Sequence, residues 1–408
     1  MNDLHTNSQN TNNAMKTSAF LLMTWFVGNL CVYFFMPFLP LVGKALSVSA
    51  LSLQSLLSLF YMAKAGGMLI WGPASERFGL KAIMICGIVI ICIGSVGAVF
   101  STHISELFIF RLMQGLGVSA TVLMGRTMLN DLFSGKRAVT AFGIVMVLAN
   151  IIISVLPAAA GYLTAFHSYK IPFAVVAIYT FILAILAIFF LKESKQSHPD
   201  FSFSIKKVPS YYLHVLKERK FIGYMLCVIF VIAAEAAFDT ASPLVMMQHL
   251  HVSAKNYGLL VGMASFISGF GLLGAGLLVK RYSIENTLGV GAVLSLIASV
   301  LIFAQLFIFS FSVAGFMISF SILSIGMGFV LTIYNVGVVQ SHQKIIGIAS
   351  SASMFLYFLS SSLGSFIISL FSTSTTTPLT IAIGSLSALV FLSWILFIKI
   401  LPSRLAVK

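Results

Sequence analysis

Ionisable side chains are scarce in this chain of 408 residues: Asp, Glu, Lys and Arg together make up 8% of it, and Asp plus Glu number only ten. Soluble globular proteins carry about 25% charged residues. With 59% hydrophobic residues and a mean hydropathy of +1.05, the chain has more apolar surface than a water-soluble fold of this length can bury. We therefore exclude a soluble protein and predict an integral membrane protein.

Alternating polarity is also missing. A membrane β-barrel is built from segments of about 10 residues in which polar and apolar side chains alternate, whereas the apolar runs here are long and continuous. Because unpaired backbone polar groups cannot face hydrocarbon, helices are the remaining way to cross the bilayer.

The residue clusters that most membrane enzymes and pumps need are absent from the sequence. There is no phosphate-binding P-loop, and the eight histidines are scattered, so we expect no ATP hydrolysis, metal site, cofactor or enzymatic activity. The four cysteines lie in apolar runs and are typical of small core residues rather than of disulfides. A receptor or channel remains an alternative class.

Long apolar runs of roughly 20 residues each predict transmembrane helices. The predicted fold is an all-α membrane protein with 12 spans, at residues 18–41, 51–72, 82–100, 106–129, 139–161, 171–191, 221–245, 257–279, 287–307, 311–335, 346–370 and 379–400. The split near residue 309 has the weakest sequence signal.

The longest polar interruption, 192–220, divides the predicted spans six to six. We predict a disordered cytoplasmic tail at 1–17, a six-helix bundle at 18–191, a cytoplasmic linker at 192–220, a second bundle at 221–401 and a short cytoplasmic tail at 402–408. Two repeated bundles are typical of secondary transporters.

The basic residues are distributed unevenly about these spans. Of 24 Lys and Arg residues, 18 fall in segments on the side of the N-terminus, and only Lys44, Lys170 and Lys255 fall on the other side. Positively charged loops remain in the cytoplasm, so both termini are predicted to be cytoplasmic. The net charge of +14 therefore reflects topology, and we expect lipid but no nucleic acid as a partner.

Two short stretches resemble signatures of the major facilitator superfamily. GPASERFGLK at 72–81 is similar to its motif G-x-L-[SA]-D-R-x-G-R-[RK] between spans 2 and 3, and LFIFRLMQG at 107–115 is similar to its span-4 motif L-x-x-x-R-x-x-Q-G. MPFLP at 36–40 and IGIASSASMF at 346–355 resemble stretches of its 12-span drug/proton antiporters, closest to the bicyclomycin-resistance and chloramphenicol-efflux branch.

This resemblance implies a bacterial inner-membrane exporter of drug-like molecules that works as a monomer. It implies a conformational role for Gly72, Glu76, Arg77, Gly79 and Lys81, and for Pro157 and Gly161 in span 5. It also implies that Arg111 takes part in proton coupling or substrate contact, with Gln114 three residues away on the same helix face.

The chain departs from the family pattern at several positions. Glu76 replaces the usual Asp, Leu80 replaces the usual Arg, and two glycines of the span-5 motif are missing. The branch carries an acid in span 1 where this chain has Tyr33. Span 1 contains no acid, so the usual proton site of the branch is absent.

Two acids instead lie in span 7, within the stretch VIFVIAAEAAFDTASPL at 228–244. Glu235 and Asp239 are four residues apart, so they share a helix face. A charge at the centre of a span costs roughly 2.5–3.5 kcal/mol on insertion scales, and repulsion between two acids adds to this cost. We predict that span 7 provides the proton-coupling site. The structural alternative is that Glu235 forms an ion pair with Lys64 or Arg111 and that Asp239 lies at a wet outer mouth.

A lysine near the middle of span 2 is equally unusual. Lys64 needs either a carboxylate partner such as Glu235 or an anionic substrate, and both possibilities stay open. We predict that Lys64, Asn29, Tyr33 and Gln114 contribute to substrate binding.

The sequence therefore predicts a secondary active transporter that exports small drug-like or toxic molecules by proton antiport and alternating access. The alternative is a carrier of an anionic metabolite, such as a polycarboxylate siderophore, which Lys64, Arg111 and the missing span-1 acid favour.

Overall fold

The computed structural model describes residues 2–132, 150–191, 219–308, 311–341 and 346–400, and these residues are almost entirely helical. The long helices, in chain order, are α1 Asn2–Tyr33, α2 Ala50–Phe78, α3 Leu80–Phe100, α4 Ile104–Leu132, α5 Asn150–Phe166, α6 Ile171–Phe190, α7 Arg219–Leu244, α8 Ala254–Leu278, α9 Ile284–Phe307, α10 Val313–Ser341, α11 Ile346–Ser369 and α12 Thr377–Trp394. A short helix, Leu39–Leu46, follows α1.

These helices agree with the predicted all-α fold. Ten of them are long and apolar enough to cross a membrane, while α5 and α11 provide shorter apolar stretches in the described part of the chain, Asn150–Phe166 and Ser353–Ser369. The predicted start of span 5 at residue 139 lies outside the described residues. The number of twelve spans and the cytoplasmic termini therefore stay predictions.

Two boundaries are informative. The helices α9 and α10 are separate, ending at Phe307 and beginning at Val313, which agrees with the predicted split near residue 309. The polar tail at 1–17, in contrast, continues the helix of α1 from Asn2, where we expected disorder. The predicted linker at 192–220 lies almost wholly outside the described residues.

Local sequence explains where the helices begin and end. The side chains of Ser49, Ser253 and Ser283 accept hydrogen bonds from backbone amides in the first turns of α2, α8 and α9, as N-cap residues do. At the other end of α2, Gly79 has φ 86° and ψ 160°, a conformation that side chains disfavour. This glycine allows α2 to end and α3 to begin at once.

The helices pack in two groups. In the first half of the chain, α4 packs against α1, α2 and α3, and α6 packs against α1 and α3. In the second half, α7 packs against α10, α11 and α12, and α9 packs against α10 and α12. The groups meet where α2 packs along α11 and where α5 crosses α8.

The contact between α5 and α8 is unusually close. Gly258 of α8 faces the backbone carbonyl of Pro157, and Gly161 of α5 faces the carbonyl of Ala254, with no room for a Cβ atom at either glycine. Small residues permit backbones to approach in this way. Pro157 and Gly161, the predicted span-5 motif residues, therefore lie at a contact between the two halves.

Candidate functional site

The first feature of the site is a break in span 1. Pro37 and Pro40 have no backbone N–H, and the helix α1 gives way to a 3-10 turn at Met36–Phe38. The amide of Phe35 donates to the carbonyl of Val32 at 3.1 Å instead of continuing the α-helical pattern. The carbonyl of Cys31 is then available to a side chain, and Nη1 of Arg111 donates to it at 2.9 Å.

Arg111 is buried in an aromatic cage. Its guanidinium carbon lies 3.6 Å from the ring centre of Phe35 and 5.2 Å from that of Phe173, and Nη1 also donates to Oε1 of Gln114 at 3.1 Å. Gln114 is in turn held by a bond from its Nε2 to the hydroxyl of Ser95 at 2.8 Å. Arg111 and Gln114 thus tie α4 to the broken end of span 1 and to α3.

The charge of Arg111 is not neutralised by an acid. In the described parts of the chain, no carboxylate lies within 4.0 Å of the guanidinium, and Nε and Nη2 have no hydrogen-bond partner. An ion pair between Arg111 and Glu235, one of the structural alternatives, is not what the structure shows. Stacking on aromatic rings stabilises the cation instead.

The two acids of α7 bind tyrosines from the other half of the chain. The hydroxyl of Tyr33 in α1 donates to Oε1 of Glu235 at 2.8 Å, and the hydroxyl of Tyr61 in α2 donates to Oδ2 of Asp239 at 3.0 Å. Asp239 is only 3% exposed, while Glu235 and Tyr33 are partly exposed. Asp239 therefore lies in a closed contact, and the alternative of a wet outer mouth does not fit this structure.

Lys64 lies beside this pair of contacts without an acid partner of its own. Its Nζ is 4.0 Å from the ring centre of Phe358 in α11, and no carboxylate of the described residues comes within 4.0 Å of it. Glu235 attracts Lys64 from a longer distance. The predicted alternative of a direct ion pair between Lys64 and Glu235 is therefore not observed.

A cluster of small hydroxyl side chains closes the contact between the two halves. Ser365 of α11 lies 2.8 Å from the hydroxyl of Ser58 in α2 and 2.6 Å from that of Thr240 in α7. All three side chains are buried. Together with the two tyrosine–acid bonds, this hydroxyl cluster holds α1, α2, α7 and α11 together at the end where α2 begins and α7 ends, the predicted outer end.

The other predicted residues fall in different places. The side chain of Asn29 donates to the carbonyl of Trp25 in its own helix at 3.2 Å and is partly exposed. The loop motif lies at the opposite end of α2, where Lys81 donates to the carbonyl of Ile188 at 3.2 Å and Arg77 stacks on Phe78. Gly72 and Glu76 occupy the last two turns of α2.

Tyr61 is the residue that sequence reasoning missed. It lies three residues before Lys64, on the same face of α2, and its hydroxyl stands in a largely apolar run. The three-residue spacing from Lys64 was the only sequence feature that pointed to Tyr61. The sequence did not reveal that Tyr61 bonds to Asp239 on another helix.

Most of the chain matches the profile of one protein family. Residues 21–365 match the profile described as Major Facilitator Superfamily. The chain belongs to this superfamily. It is accordingly a carrier rather than an enzyme, and a multi-pass protein of the bacterial inner membrane.

Individual transporters and drug-resistance proteins are also similar to this chain in sequence. The chain is 28% identical over 325 residues to the uncharacterized MFS-type transporter YdgK of Bacillus subtilis, covering 77% of this chain and 79% of the relative. It is 27% identical over 223 residues to a bicyclomycin resistance protein homolog of Haemophilus influenzae, covering 53% and 54%. It is 21% identical over 368 residues to the chloramphenicol resistance protein CraA of Acinetobacter baumannii, covering 87% and 86%. The predicted resemblance to the bicyclomycin-resistance and chloramphenicol-efflux branch is confirmed.

A solved structure supports the fold. The peptide transporter POT in complex with sulfate matches with a TM-score of 0.75 at 12% identity, covering 95% of this chain and 94% of that one. At this identity the likeness concerns the arrangement of the helices alone.

Proposed function

We propose that this transporter exports small drug-like molecules in exchange for protons, with Glu235 as the residue that binds and releases the proton. The observation that carries the proposal is the hydrogen bond from Tyr33 to Glu235, which joins the two halves of the chain at a carboxylate without a cationic partner among the described residues. The drug-resistance proteins among the relatives support the direction and the class of substrate.

The surroundings of Glu235 and Asp239 favour a proton over a permanent counter-ion. A carboxylate at the centre of a span costs roughly 2.5–3.5 kcal/mol on insertion scales. Here the partners are neutral phenol groups, Tyr33 and Tyr61, and the two acids lie one helical turn apart. Binding a proton removes the charge of one carboxylate and with it the repulsion between Glu235 and Asp239. A permanent salt bridge would instead stabilise the charged carboxylate and disfavour proton binding.

The same two bonds couple protonation to conformation. A phenol donates a stronger hydrogen bond to a carboxylate than to a neutral carboxylic acid. Loading a proton on Glu235 or Asp239 therefore weakens the contact of α7 with α1 and α2. In a carrier whose halves move against each other, this links the proton to the side on which the substrate site opens.

Other residues have supporting roles in this proposal. Arg111 and Gln114 hold the broken end of span 1, and thus set the position of Tyr33 two residues beyond Cys31. Lys64 and Asn29 line the substrate path, and the motif with Gly72, Glu76, Arg77, Gly79 and Lys81 acts at the other end of α2 during the conformational change. We propose a monomer as the working unit.

The test is transport into liposomes with an imposed pH gradient. We expect Glu235→Gln to abolish accumulation driven by the gradient while it still exchanges labelled substrate for unlabelled substrate. Glu106→Gln is the control, because Glu106 is a partly exposed acid at the start of α4, where it accepts a hydrogen bond from the amide of Thr102. Unchanged proton dependence in Glu235→Gln overturns the assignment.

The alternative function, a carrier of an anionic metabolite, is not favoured by the drug-resistance relatives. The observation behind this alternative is Lys64, whose ammonium has no carboxylate within 4.0 Å among the described residues.

A further inference from the structure

Two side chains of opposite charge stand near each other in the site without forming an ion pair. Lys64 of α2 and Glu235 of α7 attract each other, yet their charged groups are more than 4.0 Å apart. Both side chains are partly exposed, as is Tyr33, whereas the neighbouring Asp239 and Phe358 are buried. Among the described residues of this contact, the partly exposed charged groups are therefore the ammonium of Lys64 and the carboxylate of Glu235.

Each of these groups has unused hydrogen-bonding capacity. The ammonium of Lys64 has three donor hydrogens and makes no hydrogen bond to the residues that the structure describes; it only stacks on Phe358. Glu235 accepts one hydrogen bond, at Oε1, and Oε2 accepts none from the described chain. One end of the site can thus receive an anion or an acceptor, and the other end a cation or a donor.

The space around Lys64 is shaped to hold the ammonium at this place. The helix α1 passes it at Gly28, where an added Cβ atom would lie 3.9 Å from Nζ and 2.9 Å from Cγ1 of Val118. The ring of Phe358 supports the cation from α11. Lys64 is therefore held between elements of both halves of the chain.

We infer that the site selects small molecules of zero net charge that carry an anionic or accepting group at one end and a cationic or donating group at the other, such as zwitterions. This inference rests on the proposed function, because it concerns the substrate of the same site. A lone cation meets the repulsion of Lys64, and a lone anion meets that of Glu235, whereas a zwitterion satisfies both groups. Lys64 is the specificity-determining residue.

Binding of three probes to the purified full chain in detergent tests this selectivity. The probes are norfloxacin as the zwitterion, tetraphenylphosphonium as the lone cation and tetraphenylborate as the lone anion. We expect the unmodified protein to bind norfloxacin at least about tenfold more tightly than either ion, a difference of about 1.4 kcal/mol. Equal or tighter binding of either lone ion overturns the inference.

Variants of the lysine make the test specific. In Lys64→Met, norfloxacin binding should weaken about tenfold, by about 1.4 kcal/mol, and tetraphenylphosphonium binding should tighten. Lys64→Arg keeps the charge and should retain the order of the unmodified protein. Lys44→Met, at an exposed lysine of the short helix Leu39–Leu46, is the matched control. An unchanged order of the three probes in Lys64→Met overturns the inference, provided that a thermal melt shows the variant to be folded.

The result separates this inference from the proposed function. If Glu235→Gln loses the pH-driven accumulation while Lys64→Met leaves the order of the probes unchanged, the selectivity inference fails alone. If Lys64→Met inverts the order while Glu235→Gln keeps its full proton dependence, the proton assignment fails and the selectivity stands.

Discussion

The hydroxyl oxygen of Tyr61 lies 3.0 Å from Oδ2 of Asp239, one helical turn from the bond between Tyr33 and Glu235. Two acids on one face of α7 thus hold two different helices of the other half of the chain. Because both donors are neutral, each contact depends on the charge of its acid. The following predictions test the parts of this arrangement separately.

Tyr61→Phe removes the donor to a buried acid while it keeps the ring. A hydrogen bond contributes about 0.5–1.5 kcal/mol, so we expect the variant to melt at a lower temperature than the unmodified protein at neutral pH, by scanning fluorimetry in detergent. Tyr162→Phe, at a half-exposed tyrosine, should leave the melting temperature unchanged. Equal melting of Tyr61→Phe and the unmodified protein would show that Asp239 does not depend on this bond.

The hydroxyl cluster gives a way to lock the two halves. The oxygens of Ser58 and Ser365 are 2.8 Å apart, and a disulfide needs Cβ atoms about 3.5–4.5 Å apart. We expect the double variant Ser58→Cys, Ser365→Cys to stop transport after oxidation and to recover it after reduction. Either single cysteine variant should transport under both conditions. Full activity of the oxidised, cross-linked protein would mean that α2 and α11 do not separate during transport.

Arg111→Lys keeps the charge and loses the planar guanidinium that binds Cys31 and Gln114 while stacking on Phe35. Arginine and lysine are not interchangeable at sites where the guanidinium stacks on an aromatic ring. We expect a loss of transport of about tenfold or more, equal to about 1.4 kcal/mol, because the broken end of span 1 and Tyr33 shift. Arg281→Lys, in the exposed turn between α8 and α9, is the control. Normal transport by Arg111→Lys would reduce the role of Arg111 to its positive charge.

The backbone at the end of α2 allows a paired test of two glycines. Gly79→Ala places a side chain at φ 86° and should destabilise the protein by about 1–3 kcal/mol. Gly66→Ala, in the interior of the same helix with no neighbouring atom within 4 Å of the new methyl group, should be neutral or stabilising, by up to about 1 kcal/mol. The melting temperature should therefore fall in Gly79→Ala and stay unchanged or rise in Gly66→Ala. A Gly79→Ala variant as stable as Gly66→Ala would contradict the conformation at Gly79.

Most helix positions were predictable because hydrophobic length alone specifies them. The separation of α9 from α10 agrees with the split predicted near residue 309. The structure adds the serine caps at which α2 and α8 begin. The tail before residue 18 was not predictable in the same way, since its polar composition lacks the apolar signal from which the spans were recognised. There α1 continues through residues that we expected to be disordered.

The candidate site was predictable as a set of residues and not as a set of contacts. Glu235, Lys64 and Arg111 were recognisable because ionisable groups are rare in apolar spans. Pairing of opposite charges was the structural alternative, yet Arg111 binds a backbone carbonyl and three aromatic rings, and Glu235 binds a tyrosine. A phenol on another helix carries no charge signal, so Tyr61 was not found.

By itself, the sequence determined that this chain crosses a membrane as helices, that it resembles the drug-efflux branch of the major facilitator superfamily and that span 7 bears the acids which span 1 lacks, because these properties depend on composition and short motifs. Tertiary structure alone decided which side chains meet. Tyr33 and Glu235 are 202 residues apart, and only the way the two halves of the chain meet brings a neutral donor, rather than Lys64, to that carboxylate.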